Sequence, residues 1–215
     1  TAYCGCRSCN GKWAGQTSTG VKPKQGRTIA VDPKVIPYGS KVVINGNGNT
    51  FTATGAGVGS IRLANRGLLE FNKVNVVDKS VSYNESAWEF TYLEFAGNLS
   101  FNGCTFNSGV QFQTEDNDVT LAASFANCRF ISNEDSVYAA WISDGTTTFT
   151  GCSFEGTRGL KVHEEYGSEV VKIVVDGCWF GPLSKKPGVA IGTVNAQTSI
   201  TIKNSKFSGC QAGDQ

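Results

Sequence analysis

One phrase recurs along this chain and limits what it can fold into. It reads Leu99-Ser-Phe-Asn-Gly-Cys104-Thr-Phe106, then Ala123-Ser-Phe-Ala-Asn-Cys128-Arg-Phe130, then Thr147-Thr-Phe-Thr-Gly-Cys152-Ser-Phe154. Ile173-Val-Val-Asp-Gly-Cys178-Trp-Phe180 and Ile200-Thr-Ile-Lys-Asn-Ser205-Lys-Phe207 continue it. Each copy is a short alternating strand, a polar corner, a small residue and a Phe. The small residues fall at 104, 128, 152, 178 and 205, so the periods are 24, 24, 26 and 27. Two weaker copies lie upstream, Leu69-Glu-Phe-Asn-Lys-Val74-Asn-Val76 and Ile44-Asn-Gly-Asn-Gly-Asn49-Thr-Phe51, at further steps of 30 and 25. A single copy cannot bury its apolar face alone, whereas stacked copies bury a continuous core. A β-sandwich also shows regularly spaced strands, but it does not require the same residue types at the same phase in each repeat.

The expected fold is therefore all-β: a right-handed, single-stranded parallel β-helix of about seven rungs over residues 42–215. The repeat resembles the right-handed β-helices of pectin-lyase-like and surface proteins. In-phase residues of successive rungs sit above one another, about 4.8 Å apart. Phe51, Val76, Phe106, Phe130, Phe154, Phe180 and Phe207 then form an interior column. Cys104, Cys128, Cys152 and Cys178 form a second column beside it. Small buried thiols acting as hydrophobes account for that column, and adjacent thiols are also placed to oxidise. Structural zinc sites use clustered C-x2-C pairs instead, so no metal is expected there.

Composition removes other function classes. The chain of 215 residues has 19 basic and 18 acidic side chains, a net charge of +1, so no basic field points to nucleic acid. No apolar run approaches the roughly 18 residues of a membrane span. Methionine is absent even at position 1, so a processed product or a fragment is expected.

The first forty residues differ in character. Thr1-Ala-Tyr-Cys-Gly-Cys-Arg-Ser-Cys9, Gly11-Lys-Trp-Ala-Gly15 and Gly26-Arg-Thr-Ile-Ala-Val-Asp32-Pro-Lys-Val-Ile-Pro-Tyr-Gly-Ser-Lys-Val42 resemble the start of the three-aspartate domain. That family is a double-psi β-barrel of bacterial and phage cell-wall lytic enzymes. The resemblance spans residues 1–46, about half of such a barrel, and implies a partial barrel-like cap over residues 1–41. It also implies peptidoglycan cleavage, with Asp32 on the family's first aspartate as the catalytic residue. The positions nearest to the second and third aspartates hold Ala53 and Arg62. Glycosidic cleavage needs a carboxyl group to protonate the leaving oxygen, so this chain is expected not to cleave. Cys4, Cys6 and Cys9 lack a nearby fourth zinc ligand, since His163 is the sole histidine. A disulfide among them leaves an odd thiol, and would suit an extracytoplasmic setting. Val35-Ile-Pro-Tyr38-Gly reads as a hairpin turn.

After each Phe comes a second strand. Aligning Gly109–Gln113, Ser136–Ala140, Gly159–His163 and Gly188–Gly192 sends Val110, Val137, Leu160 and Val189 inward, with Phe112, Ala139, Val162 and Ile191. Gln111, Tyr138 and Lys161 then face out, as do Gln113, Ala140 and His163. Glu115, Trp141, Asp144, Glu164 and Glu165 follow at the next corner. Gln111, Gln113, Tyr138, Trp141, Lys161 and His163 are the candidate ligand-binding residues, because planar and amide side chains on a flat sheet suit an extended glycan. Asp116, Asp118, Asp144, Arg158 and Lys161 are the acids and bases that a Ca²⁺-dependent lyase would draw on. The acids sit on corners instead of one outward column.

The reading is an extracytoplasmic, non-catalytic β-helix that binds carbohydrate or cell wall at a cell or phage surface. It needs no cofactor, and its partner is a polysaccharide or peptidoglycan. The alternative is an enzyme that cleaves peptidoglycan or polysaccharide, by three-aspartate-type lytic transglycosylation or by β-helix lyase chemistry.

Overall fold

The computed structural model describes residues 40–53, 59–62, 67–78, 93–107, 111–112, 122–132, 138–163, 170–183, 188–192 and 197–210. The chain divides into two units, Thr1–Ser40 and Lys41–Gln215, and the fold described here is the second. Asp32, Cys4, Cys6, Cys9, the Val35–Tyr38 turn and the barrel-like cap lie outside the described residues.

Every regular element described is a strand, and the strands stack as a parallel β-solenoid. The first sheet holds β1 (Lys41–Asn45), β4 (Leu68–Asn72), β7 (Asn98–Asn102), β10 (Ala122–Ala126), β13 (Gly145–Thr150), β16 (Val171–Asp176) and β19 (Ser199–Lys203). The second holds β2 (Thr50–Ala53), β5 (Asn75–Asp78), β8 (Thr105–Asn107), β11 (Arg129–Ser132), β14 (Ser153–Gly156), β17 (Trp179–Leu183) and β20 (Lys206–Phe207). The third holds β3 (Gly59–Arg62), β6 (Leu93–Ala96), β9 (Gln111–Phe112), β12 (Ala140–Ile142), β15 (Leu160–Val162) and β18 (Val189–Ile191). Neighbours in each sheet are every third strand along the chain, so each coil lays one strand on each sheet.

The repeat phrase supplies the first two sheets and the corner between them. The residue before each small position has positive φ: Lys73, Gly103, Asn127, Gly151, Gly177 and Asn204 lie between 51° and 62°. Glycine reaches this left-handed region without strain, and asparagine reaches it more readily than most residues. The polar corner of the phrase is therefore a backbone requirement. It costs the ladder nothing, because Asn127 N–H still donates to Thr150 O and Arg129 N–H to Cys104 O, both at 2.9 Å.

Two phenylalanine columns fill the interior. The expected one runs in register from Phe51 through Val76, Phe106, Phe130, Phe154 and Phe180 to Phe207. A second runs through Phe71, Phe101, Phe125 and Phe149 on the first sheet. Rings within a column are parallel, with centroids 4.8 Å apart for Phe106–Phe130 and 4.9 Å for Phe130–Phe154. Rings of opposite columns meet edge to face, as for Phe125–Phe130 at 5.3 Å and 71°. Offset stacking and T-shaped contact are the two arrangements that aromatic quadrupoles favour.

The first copy departs from the expected spacing. Phe51 sits in phase with Val76, but β1 pairs Val42 with Leu69 and Ile44 with Phe71. Its corner is thus two residues longer, and Asn47 and Gly48 both take positive φ there. The stretch Lys41–Asn45, which the barrel resemblance also covers, lies in parallel register on β4.

Two stability predictions follow from the packing. Phe130→Ala empties a site enclosed by Phe106, Phe125, Phe149 and Phe154 and should cost about 3–5 kcal/mol in denaturant unfolding. A loss near zero would show that the columns do not carry the fold. Lys73 is the single corner residue in the left-handed column that is neither Gly nor Asn. Lys73→Gly should stabilise by up to about 1 kcal/mol, as relief of strain outweighs the added chain entropy; a lower unfolding midpoint would refute this.

Candidate functional site

Two groups of side chains have chemistry beyond packing: the cysteine column and the outer face of the third sheet. Cys104, Cys128, Cys152 and Cys178 are free thiols, each 1–2% exposed, on successive coils. They do more than fill space. The Cys152 N–H donates to Cys178 Sγ at 3.3 Å, and the Cys178 N–H donates to Ser205 Oγ at 3.1 Å. The Cys128 thiol donates to Phe101 O and the Cys152 thiol to Phe125 O, both at 3.5 Å. Each small residue of the phrase thus hydrogen-bonds the backbone at the corner, and Ser205 does so on the last coil. The neighbouring thiol Cys104, then Cys152 and burial, push the Cys128 thiol up from its ordinary value; Cys152 and burial do the same to Cys178. Cys128 and Cys178, held protonated and buried, are poor nucleophiles and poor metal ligands, whereas the hydrogen bond with Cys128 draws its neighbours Cys104 and Cys152 down. Among the described residues no group of three or more His, Cys, Asp or Glu is arranged to hold a metal.

The third sheet carries the proposed ligand-binding residues, in a register that differs from the expected one. Trp141, not Tyr138, pairs with both Gln111 and Lys161, while Ala140 pairs with Leu160 and Ile142 with Phe112 and Val162. The strand begins three residues later than the alignment of Ser136–Ala140 placed it. Burial explains the shift. The later start puts Ala140 and Ile142 on the inward column, both fully buried, where the earlier one would put Val137 and Ala139, so the inward pair gains an Ile for a Val. The larger side chain removes more apolar surface from water. Ala140, expected to face out, is fully buried. Trp141, expected at a corner, stands in the outward column.

Around Trp141 the side chains alternate between cation and ring. Lys161 Nζ lies 3.9 Å from the Trp141 ring centroid and 5.6 Å from that of Tyr138. The Arg158 guanidinium carbon is 5.2 Å from the Tyr138 centroid. The His163 ring meets Trp141 edge to face at 5.8 Å. Trp141 is only 6% exposed although it lies on the outer face. Its ring serves as a base that holds the Lys161 ammonium by cation–π attraction, and it is not an open stacking platform. Its indole Nε1 has no hydrogen-bond partner among the described residues, and neither does Arg158 Nε. Arg158 entered the sequence reading only as a lyase base; its place here follows from the corner that precedes β15, where the Ala139 N–H donates to Arg158 O at 3.0 Å.

The structure thus brings together Tyr138, Trp141, Lys161 and His163. Gln111 pairs with Trp141 through the backbone, and its side chain is outside the description, as is all of Gln113. Asp144 is buried at the corner between β12 and β13, while Glu115, Asp116, Asp118, Glu164 and Glu165 lie outside the described residues.

The thiol column gives a pH prediction. The folded values of Cys128 and Cys178 lie above the ordinary thiol value of 9.0, so the unfolded chain ionises first as pH rises. Their stabilisation is whole below about pH 9 and is lost progressively above it. The unfolding midpoint should fall as pH rises above about 9, and fall less in Cys128→Ser. Alkylation mapped by mass spectrometry should spare the four column thiols until denaturant is added; modification of the native protein at these sites would contradict their burial.

No protein-family model, no curated protein and no solved structure matches the chain.

Proposed function

We propose that this protein is a non-catalytic, extracytoplasmic β-solenoid that binds a glycan or cell-wall polymer at a cell or phage surface. In this reading residues 42–215 are a right-handed β-helix of the pectin-lyase-like kind. Residues 1–46 derive from the first half of a three-aspartate domain. The observation that carries the reading is the outer face of the third sheet, where Tyr138, Lys161 and His163 surround the buried Trp141. A polymer lying along that face meets a fixed ammonium, an imidazole and a phenol within one patch. These groups donate to and accept from hydroxyl and amide groups without a deep cleft, as a flat sheet requires.

The enzyme reading finds less support. Ala53 and Arg62 stand where the three-aspartate family has its downstream acids, and their backbones belong to solenoid strands, Ala53 paired with Asp78 and Arg62 with Ala96. Among the described residues no helix is long and apolar enough to cross a membrane.

The test is a sedimentation assay on insoluble peptidoglycan and other cell-wall preparations, beside a glycan array and a zymogram. The expected result is retention on at least one polymer, with Lys161→Ala/His163→Ala weakening it about tenfold, and no release of soluble muropeptides. Retention unchanged in the double variant would remove the third sheet from the reading. Muropeptide release abolished by Asp32→Asn would replace the binding reading with the enzymatic one.

A further inference from the structure

Both end coils of the solenoid leave strand edges and apolar side chains open. Among the described residues β1, β2 and β3 are bonded on one side only, and so are β18, β19 and β20. The aromatic columns stop on these coils. Phe106, Phe130, Phe154 and Phe180 are fully buried, but Phe207, stacked on Phe180 at 4.6 Å, is 47% exposed. At the other end of the same column Phe51 is 44% exposed. The column of the first sheet ends likewise, on Ile44 and on Ile202, both exposed. Trp179 is also exposed, but it has a strand on each side, so its exposure belongs to the outward flank.

The two ends match each other. Every junction between coils is parallel and in register, so the column positions of the last coil can be read onto the first. Ile200 falls on Val42, Ile202 on Ile44 and Phe207 on Phe51, while Ile191 falls on the position of Ile61. Each inward position thus meets an apolar one. Among the outward positions Ser199 falls on Lys41, Lys203 on Asn45 and Lys206 on Thr50, so no like charges face each other. Edge lysines commonly keep sheets apart. Here Lys41 is paired with Glu70, and Lys203 Nζ lies 3.2 Å from Asp176 Oδ2, each partner being on the adjoining inner coil. The corners differ in length, five residues from Ile202 to Phe207 and seven from Ile44 to Phe51. The first coil already meets that difference on its inner side, where it lies on the five-residue step from Phe71 to Val76.

We propose that the last coil is an interface for the first coil of a second copy of this chain, stacked head to tail so that sheets and columns run on from one copy into the next. The occupant is specified by the match: the contact repeats the coil-on-coil packing that already holds the solenoid together. Terminal repeats that stay apart in solution carry a polar outer face, whereas these present Phe, Ile and open backbone. The contact is heterologous, because it joins two different surfaces. Each added copy leaves one of each free, so the product is an open-ended stack and not a closed dimer. One coil is a small footprint beside a standard protein interface, so association is reversible and lies in about the micromolar range. The proposal concerns the ends of the solenoid and is independent of what the third sheet binds.

The experiment is sedimentation velocity on the full chain from about 1 µM to about 500 µM, with a reductant to keep the thiols free. Wild type is compared with Phe207→Glu on the last coil, Phe51→Glu on the first, and Trp179→Glu on the flank as the control. The expected result is a wild-type mass that rises with concentration beyond that of a dimer, and the same rise in Trp179→Glu. Phe207→Glu and Phe51→Glu should each weaken association by about tenfold or more. An equimolar mixture of those two should form dimers and nothing larger, since one variant keeps an intact last coil and the other an intact first coil. That mixture also shows that both variants are folded. A wild type that stays monomeric throughout would overturn the proposal. So would Phe51→Glu associating as wild type does, which would mean that two last coils meet, or Trp179→Glu dissociating as the end variants do.

Discussion

The fold depends on a coincidence of two lengths. Parallel strands in a stacked sheet repeat at about 4.8 Å, and parallel aromatic rings pack well at nearly the same separation. Here the ring centroids of Phe106–Phe130 and Phe130–Phe154 are 4.8 and 4.9 Å apart. One phenylalanine per coil therefore satisfies backbone and side chain together. Two such columns meeting edge to face leave little room for any other register, because a slip by one residue would send every Phe of a strand to the solvent. The corner must then be short and exact, which is why the left-handed residue and the small hydrogen-bonding residue recur with the Phe.

Much of this was legible in the sequence because the columns repeat residue types as well as hydrophobicity. The Phe51–Phe207 column and the buried cysteines follow from phase alone. The second column, Phe71 to Phe149, was equally visible as the third residue of each phrase. Its importance emerges only when the edge-to-face contacts are seen. The third sheet was harder to read. Its strands are two to four residues long, so alternation offers few positions to fix the phase. A three-residue shift at Trp141 still leaves an apolar residue on the inward column. The two alignments bury nearly the same apolar volume, Val137 with Ala139 or Ala140 with Ile142, so size distinguishes them only by the Ile in place of a Val.

The same difficulty governs the site. Lys161 and His163 were placed by a strand whose phase was unambiguous, and they face outward. Tyr138 and Trp141 exchanged roles when the strand moved, yet both remain in the patch because Lys161 reaches across to each ring. The outward position of Trp179 was set by the phrase itself, between the small residue and the Phe, where Thr105, Arg129, Ser153 and Lys206 also stand. The thiols show the opposite case: residue types that suggest reactivity are consumed by the hydrogen bonding of a corner.

The two kinds of connection in each coil tolerate change very differently. From the second Phe column to the small residue the spacing is three residues in Phe71–Val74, Phe101–Cys104, Phe125–Cys128 and Phe149–Cys152. From the first Phe column to the outward residue of the third sheet it is five, eleven, seven and ten residues, ending at Gln111, Trp141, Lys161 and Ala190. One edge of the molecule is thus a hinge-pin line whose spacing holds coil after coil, with the two-residue insertion confined to the first coil. The other behaves as a rack, on which segments of different length can be exchanged coil by coil while the aromatic spine stays in place. A lineage built on such a scaffold can rewrite what it displays without renegotiating how it folds.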